Sequence, residues 1–270
     1  MNRSFLFLSL LTLLTIGCVS QYELLLRSPD LGLKYEKAFE YYNAKKFTRA
    51  KELFNQILMY HRGTSKDDTI HYHLGLSQYH GGDFIEAEAT FDQFAQFFPR
   101  SPFTEQARYL RLDCLYGMTY RWELDQLPSY TAISAINEFL YDYPHSTHVE
   151  TCRKMLDDLY DRLERKSFES AKLYYKMEDY KVAAFALKNV LRDNPDNRYR
   201  EEVMYYIVAA NFKFAVNSVS YRQRERFLTV IDSYYNFVSE YPESKYRSEV
   251  EGMFRRAQRA TGKNNEEVTK

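Results

Sequence analysis

Phe84-Ile85-Glu86-Ala87-Glu88-Ala89-Thr90-Phe91-Asp92-Gln93-Phe94-Ala95-Gln96-Phe97-Phe98-Pro99-Arg100-Ser101 reads as a helical apolar pattern stopped by a proline. Proline disfavours helix at the residue before it, so the boundary falls near Phe98. The same ending recurs as Tyr141-Asp142-Tyr143-Pro144-His145-Ser146, Leu191-Arg192-Asp193-Asn194-Pro195-Asp196 and Glu240-Tyr241-Pro242-Glu243-Ser244. The four prolines lie 45, 51 and 47 residues apart. Apolar residues upstream keep fixed offsets from each proline. Twelve residues before it stand Ala87, Ala132, Ala183 and Val230; eight before it stand Phe91, Ile136, Leu187 and Tyr234; fifteen before it stand Phe84, Ser129, Tyr180 and Phe227. A first copy without its proline places Phe47, Ala50 and Phe54 ahead of Arg62-Gly63. Self-similarity at a near-constant period signals a solenoid, whose units cannot bury their apolar faces alone and must stack.

The unit resembles the tetratricopeptide repeat. In the second copy Leu74, Gly75, Ala87, Phe91 and Pro99 stand at that family's signature positions, and in the fourth Ala171, Tyr174, Ala183 and Pro195 do. Small residues let paired helices approach, and aromatics at helical spacing fill the space between them. The resemblance implies an all-α fold, a right-handed superhelical solenoid of about five helix pairs. The spacings exceed the family's 34 residues, so several helices are longer. A helical pattern runs from about Thr147 to Lys176, with Tyr160, Leu163, Ser167, Ala171 and Tyr174 on one face. Some 30 residues of helix span about 45 Å. The expected organisation is residues 34–146 as repeats 1–3 and 147–260 as a long linking helix with repeats 4–5. Residues 18–33 are expected as a tether, with Pro29-Asp30 capping the first helix, and 261–270 as a polar, disordered tail.

The chain opens Met1-Asn2-Arg3, continues as an apolar run from Phe5 to Ile16 and reaches Gly17-Cys18. A basic start, an apolar core of about a dozen residues and a small residue at the cut site make a secretory signal, residues 1–17. The run is shorter than the roughly 20 residues a membrane span needs. Gly17-Cys18 resembles the lipobox of bacterial lipoproteins, in which the Cys is acylated, with Thr15 standing where Leu is usual. That resemblance implies a lipid anchor on Cys18, and Val19-Ser20, lacking Asp, favours the outer membrane of a Gram-negative bacterium on its periplasmic face.

Lys and Arg number 37, as do Asp and Glu, so the net charge is zero and gives no case for nucleic acid. With 25 Tyr and 19 Phe against 9 Gly and 7 Pro, the composition suits packed helices. Cys114 and Cys152 alone follow Cys18, which is no disulfide framework; they read as buried thiols, with a bridge as the lesser alternative. No Gly-rich phosphate loop, His-Glu-x-x-His or Gly-x-Ser-x-Gly occurs, so no catalytic residue, metal site or cofactor is expected. His71 and His73 point about 200° apart on a helix and do not share a metal. Arg222, Arg224 and Arg226 with Arg255, Arg256 and Arg259 make the last repeat basic, either as a solvated face or as a surface for an acidic partner.

The stretch Leu159 to Lys176, continuing through Asp179-Tyr180 to Leu191–Pro195, is similar to the fourth repeat of the BamD family, lipoprotein subunits of the outer-membrane β-barrel assembly machine. Asp161, Arg162, Leu163, Ala171, Tyr174, Tyr175, Arg192, Asp193 and Pro195 stand at its pattern positions. Asn194 departs from the usual aromatic, and the segments Arg121–Ser129 and Val216–Arg226 are lengthened. The resemblance implies a non-catalytic scaffold. It would bind the periplasmic POTRA region of a BamA-like insertase through its carboxy-terminal repeats, receive unfolded outer-membrane proteins near its amino-terminal repeats, and sit among the machine's other lipoproteins. Tyr175, Arg192, Asp193, Arg198 and Tyr199 are the candidate insertase contacts, with capping and packing inside the repeat as the equal alternative. A cell-wall or division scaffold is the rival reading. Replacing Cys18→Ala is expected to leave the repeat fold intact, by circular dichroism, and to weaken barrel assembly at native expression. Full barrel insertion by the released protein would mean that the anchor is only an address.

Overall fold

The computed structural model describes residues 20–262, and all regular structure among them is helical. Cys18 and the expected signal peptide lie outside the described residues, as do positions 263–270 of the expected tail. A short α1 (Gln21–Arg27) precedes five helix pairs: α2 (Leu31–Asn43) with α3 (Phe47–Leu58), α4 (Asp67–Gly81) with α5 (Phe84–Phe97), α6 (Thr104–Gly117) with α7 (Leu127–Asp142), α8 (Val149–Lys176) with α9 (Tyr180–Asp193), and α10 (Arg200–Val216) with α11 (Ser220–Glu240). A last helix, α12 (Arg247–Thr261), follows. The chain divides into two compact units. One holds residues up to Thr119 together with Tyr130–Val149; the other holds Tyr120–Ser129 and everything from Glu150 on.

The offsets counted from each proline translate into burial. Ala50, Ala87, Ala132, Ala183 and Val230 are fully buried, and Phe54, Phe91, Ile136 and Leu187 are as well. In the pair α4–α5 the reason is geometric. A Cβ on Gly75 would stand 2.6 Å from Cε1 of Phe91, closer than any real contact. Glycine lets α4 meet the aromatic face of α5, and Phe91 closes a core with Tyr72, Ala87, Phe94, Ala107 and Cys114.

Three of the pairs turn by the same device. The residue two before the second helix is left-handed: Lys45 (φ 57°), Gly82 (φ 84°) and Glu178 (φ 64°). The next amide then donates back across six residues, Lys46 to Tyr41 O at 2.8 Å, Asp83 to Gln78 O at 2.9 Å and Asp179 to Tyr174 O at 3.0 Å. These bonds satisfy carbonyls that the ended helix leaves open.

The stretch 18–33, expected as a tether, instead contains α1 and opens α2 at Leu31. Ser20 and Glu23 form a reciprocal capping box that starts α1. Leu25 buries itself in the core of α2–α4, and the Tyr22 hydroxyl donates to Glu52 at 2.8 Å. Asp30 does cap a helix, α2, accepting from the Leu33 amide at 2.9 Å. At the other end α12 runs to Thr261 and stops on left-handed Gly262 (φ 72°). The lengthened segment 120–129 is held on α8. Arg162 donates to Tyr120 O at 3.2 Å, Lys166 to Leu124 O, and Arg165 lies 4.8 Å from the Trp122 ring. Inside that loop the buried Gln126 side chain donates to Arg121 O at 2.8 Å and to Leu124 O at 3.0 Å.

The close approach in α4–α5 gives a sign test. Alanine is a better helix former than glycine by about 1 kcal/mol, yet overpacking a closed core costs about 1–3 kcal/mol. Gly75→Ala is expected to destabilise the protein by roughly 1 kcal/mol in denaturant unfolding. Gly252→Ala in α12, where an added Cβ meets open space, is expected to stabilise it by about 0.5–1 kcal/mol.

Candidate partner-binding surfaces

Four residues after each proline stands an aromatic ring: Phe103, His148, Tyr199 and Tyr246. Each leads into the next helix and stacks on an aromatic of the preceding pair's first helix. Phe103 lies on Tyr72 at 4.6 Å and 6°, His148 on Tyr109 at 3.7 Å and 9°, Tyr199 on Phe168 at 5.7 Å and 18°, and Tyr246 on Tyr205 at 4.2 Å and 17°. The first junction lacks the proline and uses a cation instead, with Lys66 Nζ 4.3 Å from the Tyr35 ring. Polar bonds lock the same turns. Ser101 donates to Asp68 at 2.9 Å, Ser244 to Glu201 at 2.6 Å, and His148 shares a 3.0 Å bond with Gln106.

The fourth junction holds two of the candidate contact residues. The Arg198 amide donates to Glu164 at 2.9 Å, its guanidinium to Asp157 at 2.5 Å, and the Tyr199 hydroxyl to Asp161 at 3.0 Å. Burial and then the bond to Asp161 raise the Tyr199 pKa above the ordinary phenol range, and the Asp157 bond raises that of Arg198. Tyr175 is half-buried and meets Tyr180 and Tyr206 edge-on, at 5.4 and 5.2 Å. Arg192 and Asp193 behave differently. Their side chains are 69% and 67% exposed and pair with each other at 3.0 Å. The five candidates therefore separate into a junction clip (Arg198, Tyr199), a tyrosine packing site (Tyr175) and an exposed ion pair (Arg192, Asp193). The Asp161-Arg162 pair, singled out by its pattern, also works internally: Asp161 holds Tyr199 and Arg162 holds the loop carbonyl of Tyr120.

Clefts lie within each unit. In the first, a pocket of about 340 Å³ is lined by Leu58, Arg62, Asp67, His71, Phe97 and Phe98, and a second of about 450 Å³ shares Phe97 and Phe98 and extends to Arg100 and Ser101. Phe97 is 64% exposed at their common edge. Burial lowers the His71 pKa, so that ring is an apolar wall rather than a cation. In the second unit a cleft of about 500 Å³ lies among α9, α10 and α11, with Lys188, Arg200, Asp232 and Glu240 on its polar side. Arg200 and Glu240 form a two-pronged ion pair there, which holds the Glu240 carboxyl below the usual range.

Cys114 and Cys152 are free and buried, and burial pushes their thiols up to about 12 and about 11, away from reactivity. Among the described residues no group of three or more His, Cys, Asp or Glu is placed to hold a metal, and no helix is long and apolar enough to cross a membrane. The stacked junctions escaped the sequence reading. Their signal was present, an aromatic at a constant offset of four after each proline, but the rings they meet lie 31 to 41 residues away.

Comparison with known proteins places this geometry in context. The chain matches the family described as YfiO, outer membrane lipoprotein, over residues 33–176 and 164–268. It is 23% identical over 148 residues to the outer membrane protein assembly factor BamD of Caulobacter vibrioides, an alignment that covers 55% of this chain and 48% of the relative. The match thus spans about half the length of that curated relative. Two solved structures are similar in part: the TPR2AB domain of yeast Sti1 in its pHSP90 complex, and the TPR domain of P58(IPK). The first shows 13% identity and a TM-score of 0.41, covering 84% of this chain and 98% of that one. The second shows 14% and 0.40, covering 87% and 67%.

A junction clip and a partner contact predict different losses. Tyr199→Phe keeps the stack but drops the bond to Asp161, and is expected to cost about 1 kcal/mol of stability. Tyr199→Ala removes both and is expected to cost about 2–3 kcal/mol in denaturant unfolding. Unchanged stability with lost partner capture would assign Tyr199 to a partner instead.

Proposed function

Because the chain belongs to the outer membrane lipoprotein family YfiO, we propose that it is a non-catalytic, lipid-anchored scaffold of the machine that assembles β-barrel proteins in the outer membrane. The observation that carries this reading is the family match, which runs from residue 33 to 268 and takes in all five helix pairs. The partial similarity to an assembly factor named BamD points the same way. The finer steps are part of the proposal. The second unit binds the POTRA region of a BamA-like insertase, with the other lipoproteins of the machine nearby. The first unit receives unfolded outer-membrane proteins. Cys18 holds the protein on the periplasmic face of the membrane.

Two features support the division of labour. The ion pair Arg192–Asp193 is exposed at the end of α9, and among the described residues neither side chain has a further ion-pair or hydrogen-bond partner. Arg198 and Tyr199 are committed to the fourth junction, so their contribution to a partner is to present the turn 194–199 in a fixed shape. In the first unit, the paired clefts at Phe97 and Phe98 offer apolar walls with Arg62 and Arg100 on their linings. An extended chain with aromatic side chains near a free carboxylate suits that chemistry, through ring packing and a charge-assisted bond.

Crosslinking in cells followed by purification from detergent extracts tests the proposal. A POTRA-containing barrel protein is the expected partner; its absence, or a peptidoglycan synthase in its place, overturns the reading. Arg192→Glu is expected to reduce capture of that partner about tenfold while leaving the melting temperature unchanged. Phe97→Ala is expected to reduce crosslinking of unfolded barrel precursors and leave the insertase bound.

A further inference from the structure

The chain as a whole is neutral, but one end of the second unit is not. The carboxy-terminal end of α10, the amino-terminal end of α11 and the carboxy-terminal end of α12 meet there, because each helix runs back along the one before it. Residues 211–226 and 251–262 carry Lys213, three arginines on α11 and three on α12 against two acids, Glu225 and Glu251. The eight residues that follow add two Lys and two Glu and leave this excess unchanged.

Two of the arginines rest on aromatic faces, and Arg222 pairs with Glu225 at 3.2 Å. Arg226 lies 3.9 Å from the Phe214 ring and Arg256 5.5 Å from the Phe212 ring. Such stacking orients a guanidinium without neutralising it. At the hairpin that joins α10 to α11, two apolar side chains face solvent, Val219 at 56% and Tyr221 at 81% exposure. Val219 occupies the N-cap of α11 and offers no side-chain bond to the open amides. Ser, Thr, Asp or Asn would serve that position better. The first turn of α11 also lacks any acid that would offset the arginines beside it. A fold selected only for stability has no use for this combination.

We propose that this end of the second unit docks on the surface of an anionic phospholipid bilayer, with Val219 and Tyr221 entering the headgroup layer and the arginines of α11 and α12 meeting lipid phosphates. Tyrosine and an aliphatic tip ringed by arginine match the composition of a membrane–water interface contact. Arginine forks fit phosphate oxygens in pairs. Two apolar side chains are too small a core for a specific protein interface, which covers on the order of 800 Å² per partner around aromatic anchors seated in pockets. The contact is peripheral, since no helix among the described residues can cross a bilayer. It stands apart from the assembly role and holds whether or not an insertase is bound.

The test is local, because a lipid on Cys18 would retain the whole chain on any vesicle. The full chain carries an environment-sensitive dye at Asn217→Cys, an exposed position of the same hairpin, while Cys114 and Cys152 are buried and do not label. It is reconstituted in vesicles of phosphatidylcholine alone or with about 30% phosphatidylglycerol. The expected result is a blue-shifted emission, quenched by a lipid-borne quencher, in the anionic vesicles only. That signal falls at least fivefold in Arg224→Glu and in Arg255→Glu/Arg259→Glu, and it falls in about 0.5 M salt, which screens the contact without altering the chain. Equal water exposure of the dye in both vesicles overturns the proposal. A dye that never meets lipid, in a protein whose Arg224→Glu variant loses a crosslinked protein partner, overturns it in favour of a protein-binding surface. The salt arm reads the contact even where a variant fails to fold.

Discussion

Each repeat in this protein is joined to the next by a ring laid flat on a ring. Phe103 on Tyr72, His148 on Tyr109, Tyr199 on Phe168 and Tyr246 on Tyr205 are the same contact made four times, with Lys66 over Tyr35 as its cationic counterpart. A solenoid is stable only through such nearest-neighbour interfaces. The proline ahead of each ring stops one helix, and the turn that follows carries the aromatic into the next. The stack ties the turn before each new helix to the first helix of the preceding pair. Hydrogen bonds that tie Ser101, His148, Tyr199 and Ser244 to the first helix of the preceding pair hold the same turns.

The inside of each pair follows from that registration. Once the first helix is set, a small residue must lie where the second helix crosses it. Gly75 against Phe91 is such a close approach on a first helix, and the alanines at 50, 87, 132 and 183 on the second helices are fully buried. The interaction surfaces are what these constraints leave over. Arg198, Tyr199, Asp161 and Arg162 are consumed by the junctions and by the loop 120–129. Arg192, Asp193, Phe97 and the basic end of α10–α12 are not. A neutral chain can in this way present segregated fields, with an apolar cleft in one unit and a cationic end in the other.

Much of the architecture is legible in the amino-acid sequence. The offsets of eight and twelve before each proline identified residues that are buried in every copy, because a 3.6-residue period dictates which side chains share a face. The long helix lies at Val149–Lys176, within two residues of its sequence limits. The start of the chain was less well read. Ser20-Gln21-Tyr22-Glu23 is a capping box, and with Leu25 it makes a helix where a tether is expected. That signal is local, whereas the position of the stretch between the expected signal peptide and the first repeat points to a tether.

The sequence by itself determined the helix pairs, their boundaries and their inward faces, since capping, proline and periodicity act over a few residues. Only the tertiary structure decided what the remaining polar and aromatic residues do. The partners of the junction rings lie 31 to 41 residues upstream, at a separation that changes with the length of each helix and loop. The same holds for Asp161 and Tyr199, and for Arg256 and Phe212. Contacts of that kind depend on how neighbouring helices pack, and no pattern along the chain encodes that distance.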